Sequence, residues 1–316
     1  MYRNKCIIGV DIGGTSIKSA ILDRRARIFF SRETKTLSCR SAEHILKDVD
    51  LLIEECEKKA DARGINVTGI GIILPGYPDR NGIVSFIPNI LSLTNFPIKK
   101  YLSKNRKTPI IFENDGNAAA FGEYIFGQKK KIRNIIVLVL GTGIGSGVIV
   151  GGKILRGRDK ISGELGHITL NPEGPKCPCG KRGCLEAYFS AYAMKRFAKE
   201  VVRKNHDSTL RNYKLEKIEP YIIAMEARKG DKASKYIYEY CGKWLGVGIS
   251  VFINVFNPDK VILAGGISKA GDLFMEKMTA EVKKNVHPQY YKNIIIEISR
   301  FTDNLGMIST ASLFLN

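Results

Sequence analysis

Alternating strand-like and helix-like segments point to an α/β protein built from two related halves. Two observations carry this. Residues 6–22, CIIGVDIGGTSIKSAIL, read as a β-rich apolar run, a turn at Gly13-Gly14 and a second strand. Residues 135–150, IIVLVLGTGIGSGVIV, repeat that pattern about 130 residues later. With 316 residues, the chain is long for one compact core, which agrees with two domains.

The remaining elements follow in order. Residues 41–62 place Ile45, Val49, Leu52, Ile53 and Cys56 at helical spacing, with Ser41 as N-cap and Gly64 as the stop. Residues 69–75 read as a strand ending at Pro75-Gly76, and 110–113 as a strand ending at Asn114-Asp115. Helices are expected over 116–126, 186–204, 232–256 and 271–284, with a strand at 260–264 running into Gly265-Gly266. No short repeat is present, which excludes a solenoid.

Composition excludes several classes. Hydrophobic residues at 44% and charged residues at 26% are those of a folded protein rather than a disordered one. Residues 134–152 carry no charge and approach membrane-spanning length, but six clustered glycines make them a strand, turn and strand instead. The N-terminal apolar run is too short for a signal peptide. Fifty Lys and Arg against 31 Asp and Glu give +19, a balance that suits a solvated surface or anionic partners such as nucleic acid, phosphate compounds or membrane surfaces. Seven cysteines, an odd number, argue against a disulfide framework and for a reducing, cytoplasmic setting.

Five segments carry candidate chemistry. Asp11-Ile12-Gly13-Gly14-Thr15 sets a carboxylate at a strand end beside glycines whose N–H groups can approach phosphate oxygens, and Asp11 can hold Mg²⁺ through water. An ordinary hairpin turn would use the same residues. Gly141-Thr142-Gly143-Ile144-Gly145-Ser146-Gly147 is neither the dinucleotide fingerprint nor a Walker A loop, because position 146 is Ser and a strand follows. Paired with Asp11 it reads as a second phosphate loop, and a branched residue at Gly143 is expected to block the nucleotide while sparing the other substrate. Asp115 stands where a strand meets a helix, a place for a general base or for a helix cap.

His167, Cys177, Cys179 and Cys184 match the ligand count of a closed structural zinc site. Glu164 and Glu186 flank that set, so zinc would pin two carboxylates able to bind neighbouring sugar hydroxyls. Gly265-Gly266 would let an adenine ring approach the backbone, or would simply turn a strand into a helix.

Taken together, VDIGGT at 10–15, PG at 75–76, PN at 88–89, ENDGNAAA at 113–120, GTGIGSG at 141–147, GELGH at 163–167, CPCGKRGCLE at 177–186 and LAGG at 263–266 resemble the ROK family of sugar kinases and sugar-responsive repressors. The resemblance implies an actin-like (ribonuclease H-like) two-domain fold with the active site in a cleft. The expected division is 1–114, completed by a C-terminal helix at about 301–316, and 115–300 with the zinc segment 164–186. It implies Asp115 as catalytic base and Asn89, Asn114, Glu164, His167 and Glu186 on the sugar. Asp11, Gly13, Gly14, Thr15, Lys18, Gly141, Thr142, Gly143, Gly145, Gly265 and Gly266 would hold ATP with Mg²⁺. His167, Cys177, Cys179 and Cys184 would hold zinc, and a homodimer is expected.

The repressors carry a winged helix-turn-helix ahead of the kinase-like part. Here the first strand starts by residue 6, which leaves no room for one and favours an enzyme. The expected reaction is ATP-dependent phosphorylation of glucose or a related hexose at the 6-hydroxyl. N-acetylmannosamine kinase and a non-catalytic sugar sensor are the alternatives, and the charge leaves polyphosphate open as donor. Three departures bear on substrate: ILSLTNFPIKKYL after Asn89 lacks the Gly-Trp pattern of glucose-specific members, Gly116 stands where glucokinases often have Ala, and LGMISTASL is bulkier than the usual Gly/Ala-rich helix. That last change is expected to alter packing and adenine-side detail.

Overall fold

The computed structural model describes residues 5–315 apart from 86, 88, 105 and 205, so Pro88 of the Pro88-Asn89 pair lies outside the described residues. Residues up to 131, 154–162 and 304 onward form one compact unit, and 132–153 with 163–303 form the other.

In the first unit, β1 (Lys5–Ile12) and β2 (Ser16–Asp23) form the expected hairpin, and β3 (Ile28–Lys35) extends it. Helix α1 (Ala42–Asp61) then leads to β4 (Asn66–Leu74), α2 (Ile98–Leu102), β5 (Ile110–Asn114) and α3 (Asp115–Gly122). The Ser41 hydroxyl accepts from the His44 N–H and caps α1 as expected. The sheet order is β3-β2-β1-β4-β5, with β1 antiparallel to β2 and parallel to β4.

Strand β1 is buried on both faces over Cys6–Val10 because both are covered. Ile8, Val10 and Ile12 pack with Ile45, Val49 and Ile53 of α1, whereas Ile7 packs with Met307 and Ala311 of α9 (Leu305–Ser312). Helix α9 approaches closely because Gly9 and Gly71 have no side chain where Thr310 sits. The bulk in LGMISTASL is thus absorbed inside the first unit. Ser309 of α9 likewise fits against Gly122 of α3, which keeps residues 115–131 with the first unit rather than dividing the chain after 114.

The second unit repeats the wiring. Its hairpin is β6 (Ile135–Leu140) and β7 (Ile144–Val150), followed by β8 (Lys153–Ile154), α4 (Ala191–Lys204), α5 (Pro220–Arg228) and α6 (Lys232–Phe256). Then come β9 (Lys260–Ala264), α7 (Gly271–Asn285), α8 (Pro288–Tyr291) and β10 (Ile295–Ile298). The order β10-β9-β6-β7-β8 is that of the first sheet, again with an antiparallel hairpin and parallel strands beyond it. Two such sheets with this duplicated order make the fold actin-like. Among the described residues, no helix is long and apolar enough to cross a membrane.

Candidate functional site

In the first unit the turn after β1 is held from behind. The Thr36 hydroxyl donates to the Gly13 carbonyl at 2.5 Å, and the Thr36 N–H donates to the Thr15 carbonyl at 3.0 Å. A side chain on Gly14 would come within 2.9 Å of Asn89 Cβ, so the glycine brings this loop onto Asn89. Lys18 lies opposite Asp11 in the β1–β2 register. Burial first, and the neighbouring Asp115 carboxylate second, push Asp11 up to about 7, while Lys18 works the other way. Two neighbouring carboxylates are a donor set that suits a hard, partly hydrated cation such as Mg²⁺.

Asp115 is exposed at the start of α3. Its Oδ1 accepts from the Gly116 N–H at 2.8 Å and from Asn114 Nδ2 at 3.2 Å. Asn114 also caps α3 by accepting from the Asn117 N–H at 2.9 Å, and its Nδ2 donates to the Gly76 carbonyl at 3.0 Å. The cap is therefore Asn114, and Asp115 is released from that duty. Glu113, which sequence reasoning passed over as part of a strand, is buried beneath this junction.

In the second unit the loop 141–147 is fixed on three sides. Its Gly141 and Thr142 carbonyls accept from the Ala191 and Tyr192 N–H groups at 2.9 and 3.4 Å. Glu186 Oε2 accepts from the Ile144 N–H at 2.9 Å. Ser146, noticed in the sequence only as a missing glycine, donates to the Gly163 carbonyl at 2.5 Å and accepts from the Leu165 N–H at 3.0 Å. It thereby ties the Glu164–His167 segment to β7. Gly265 adopts a φ of 85° and lies against the Leu140 backbone, which seats the Gly265-Gly266 turn beside the end of β6.

The four expected metal ligands come together. The ligand atoms of His167, Cys177, Cys179 and Cys184 all lie within 4.8 Å of one another. Cys177 Sγ is 3.7 Å from His167 Nδ1, and Cys179 Sγ is 3.7 Å from Cys184 Sγ. Zinc–sulfur bonds of about 2.3 Å give a tetrahedral edge of about 3.8 Å, so these spacings fit a bound zinc ion. The Cys177 N–H donates to the Lys181 carbonyl at 2.8 Å and the Gly180 N–H to the Cys177 carbonyl at 3.0 Å, forming the turn that presents the thiols.

The sequence matches the ROK family over residues 7–316. The chain belongs to the ROK family. A glucokinase of Thermotoga maritima is 35% identical over 97% of this ROK chain and 96% of its own length. A xylose repressor of Caldicellulosiruptor bescii is 28% identical, with 98% of this chain matched to 78% of the repressor. Among solved structures, a ROK family glucokinase from Streptomyces griseus in complex with glucose and AMPPNP superposes with a TM-score of 0.84 at 30% identity, covering 98% of each chain. A ROK family transcriptional regulator superposes with a TM-score of 0.89 at 26% identity, over 99% of this chain and 78% of the regulator.

Proposed function

We propose that this ROK chain is an ATP-dependent hexose kinase acting on the 6-hydroxyl of glucose or a closely related hexose. The observation that carries the reading is the seat of Asp115, an exposed carboxylate oriented through Oδ1 by Gly116 and Asn114. So held, Asp115 takes the proton of the sugar hydroxyl as its oxygen attacks the γ-phosphorus in line, and ADP leaves. The N–H groups of the loops at 13–15 and 141–147 bind phosphate oxygens, and Gly265-Gly266 borders the adenine. Mg²⁺ bound through water near Asp11 would supply charge compensation for the phosphates.

Asn89, Asn114, Glu164, His167 and Glu186 bind the sugar. His167 turns Nδ1 to the thiols, which leaves Nε2 for a sugar hydroxyl and reconciles its two assignments. Zinc has a structural part, since four protein ligands leave no open position for a reacting water. The glucose and AMPPNP of the S. griseus enzyme support the substrate pair, and family resemblance supports a homodimer.

The repressor relatives favour a second reading, a sugar sensor without turnover. A coupled ADP-release assay over glucose, mannose, fructose, allose and N-acetylmannosamine decides between them. Turnover with one of these sugars is expected and identifies the substrate; binding of a sugar with no turnover of any would favour the sensor.

A further inference from the structure

Residues 154–162, from the last residue of β8 onward, belong to the first unit. Arg156, within this strap, grips Glu113 with both terminal nitrogens: Nη1 donates to Oε1 at 3.1 Å and Nη2 to Oε2 at 2.5 Å. The Glu113 side chain is 9% exposed and that of Arg156 is 42% exposed, so the carboxylate is buried and its cation reaches it from the surface. Glu113 Oε1 also accepts from the Asn114 N–H at 3.0 Å and from Asn117 Nδ2 at 3.3 Å. Those two asparagines frame the β5–α3 junction, where Asn114 Nδ2 and the Gly116 N–H orient Asp115.

We infer that Arg156 is a positioning residue for the Asn114-Asp115 pair, acting through Glu113; this rests on the kinase reading above. A buried carboxylate needs its charge met. With Arg156 removed, Glu113 must either draw water inward or turn outward. Either movement drags its hydrogen bonds to Asn114 and Asn117 and shifts the junction that aims Asp115. A base displaced by about 1 Å loses up to about a hundredfold in rate. The contacts that run from Arg156 through Glu113 to Asn114 and Asn117 use no residue of the nucleotide loops. Arg is required rather than Lys because only a planar fork meets both carboxylate oxygens at once.

The test starts from wild-type turnover with its best sugar and its loss in Asp115→Asn. If wild type turns over no sugar, the kinase reading fails and this inference falls with it. With wild type active, Arg156→Ala is expected to lower kcat/KM for the sugar tenfold or more while the nucleotide KM stays within twofold. Millimolar guanidinium is expected to restore a measurable part of that loss, and Arg156→Lys should stay impaired. Thermal melting verifies that both variants are folded. Unchanged kcat/KM, a nucleotide KM raised as much as the sugar term, or a loss that guanidinium does not relieve would each overturn the inference and leave the kinase reading intact.

Discussion

The Glu186 carboxylate fills the volume that any side chain on Gly143 would need, and its Oε2 accepts the neighbouring Ile144 N–H at 2.9 Å. The glycine at 143 therefore serves Glu186 directly. In sequence terms Gly143 belonged to the phosphate loop and Glu186 to the sugar; in the folded unit the two are in contact. Gly143→Ala is expected to displace the carboxylate and raise the sugar KM about tenfold, roughly 1.4 kcal/mol, alongside any effect on ATP. This replaces the expectation that a substitution there spares the sugar. Steady-state KM values for both substrates measure it, and a sugar KM unchanged in a folded variant counts against the contact.

Asp115→Asn keeps the size and hydrogen-bonding capacity of the side chain but removes the base. We expect kcat to fall by about 10² or more, while sugar binding measured by calorimetry persists. Near-normal turnover would remove Asp115 from the proton transfer.

Purified protein is expected to contain one zinc ion per chain, and Cys179→Ser to lose it, because a serine hydroxyl is a far poorer ligand than a thiolate. Metal loss should lower the melting temperature and weaken sugar binding, since the loop that carries Glu186 folds around the four ligands. Elemental analysis, together with the melting curve, checks both parts. A zinc-free protein of full activity would refute the assignment.

Asp11 ties stability to pH. Its carboxyl is raised from 3.8 to about 7 by burial and by Asp115, so the folded state holds a proton that the unfolded chain releases. The contribution is fully present below about 4 and is lost as pH rises towards 7, with a slope of up to about 1.4 kcal/mol per pH unit from this one group. Asp11→Asn should flatten the stability profile between pH 5 and 7, as read by urea titration. A slope in that window identical to that of wild type would contradict the shift.

Local signals were legible in the sequence. The Ser41 cap, the two glycine hairpins and the cysteine cluster each lie within a short stretch whose residues act on one another. Strand β3 was missed because its exposed edge residues, IFFSRETK, lack the burial that writes an apolar pattern. The helix expected from 186 begins instead at Ala191. The Ser190 hydroxyl accepts from the Ala193 N–H at 3.0 Å and donates to the Glu186 carbonyl at 2.8 Å, so a cap interrupts what reads as one apolar run. The Arg156–Glu113 pair spans 43 residues and leaves no trace in spacing; only the fold brings it together.

Helix α9 covers one face of the first sheet, yet it is translated after the whole of the second unit. On the ribosome, Ile7, Ala20 and Leu22 stay uncovered until residues 305–312 emerge. The second unit, whose segments are all made before then, can reach its native state first. The first unit completes that sheet face last, so its apolar residues there are exposed for longest during synthesis.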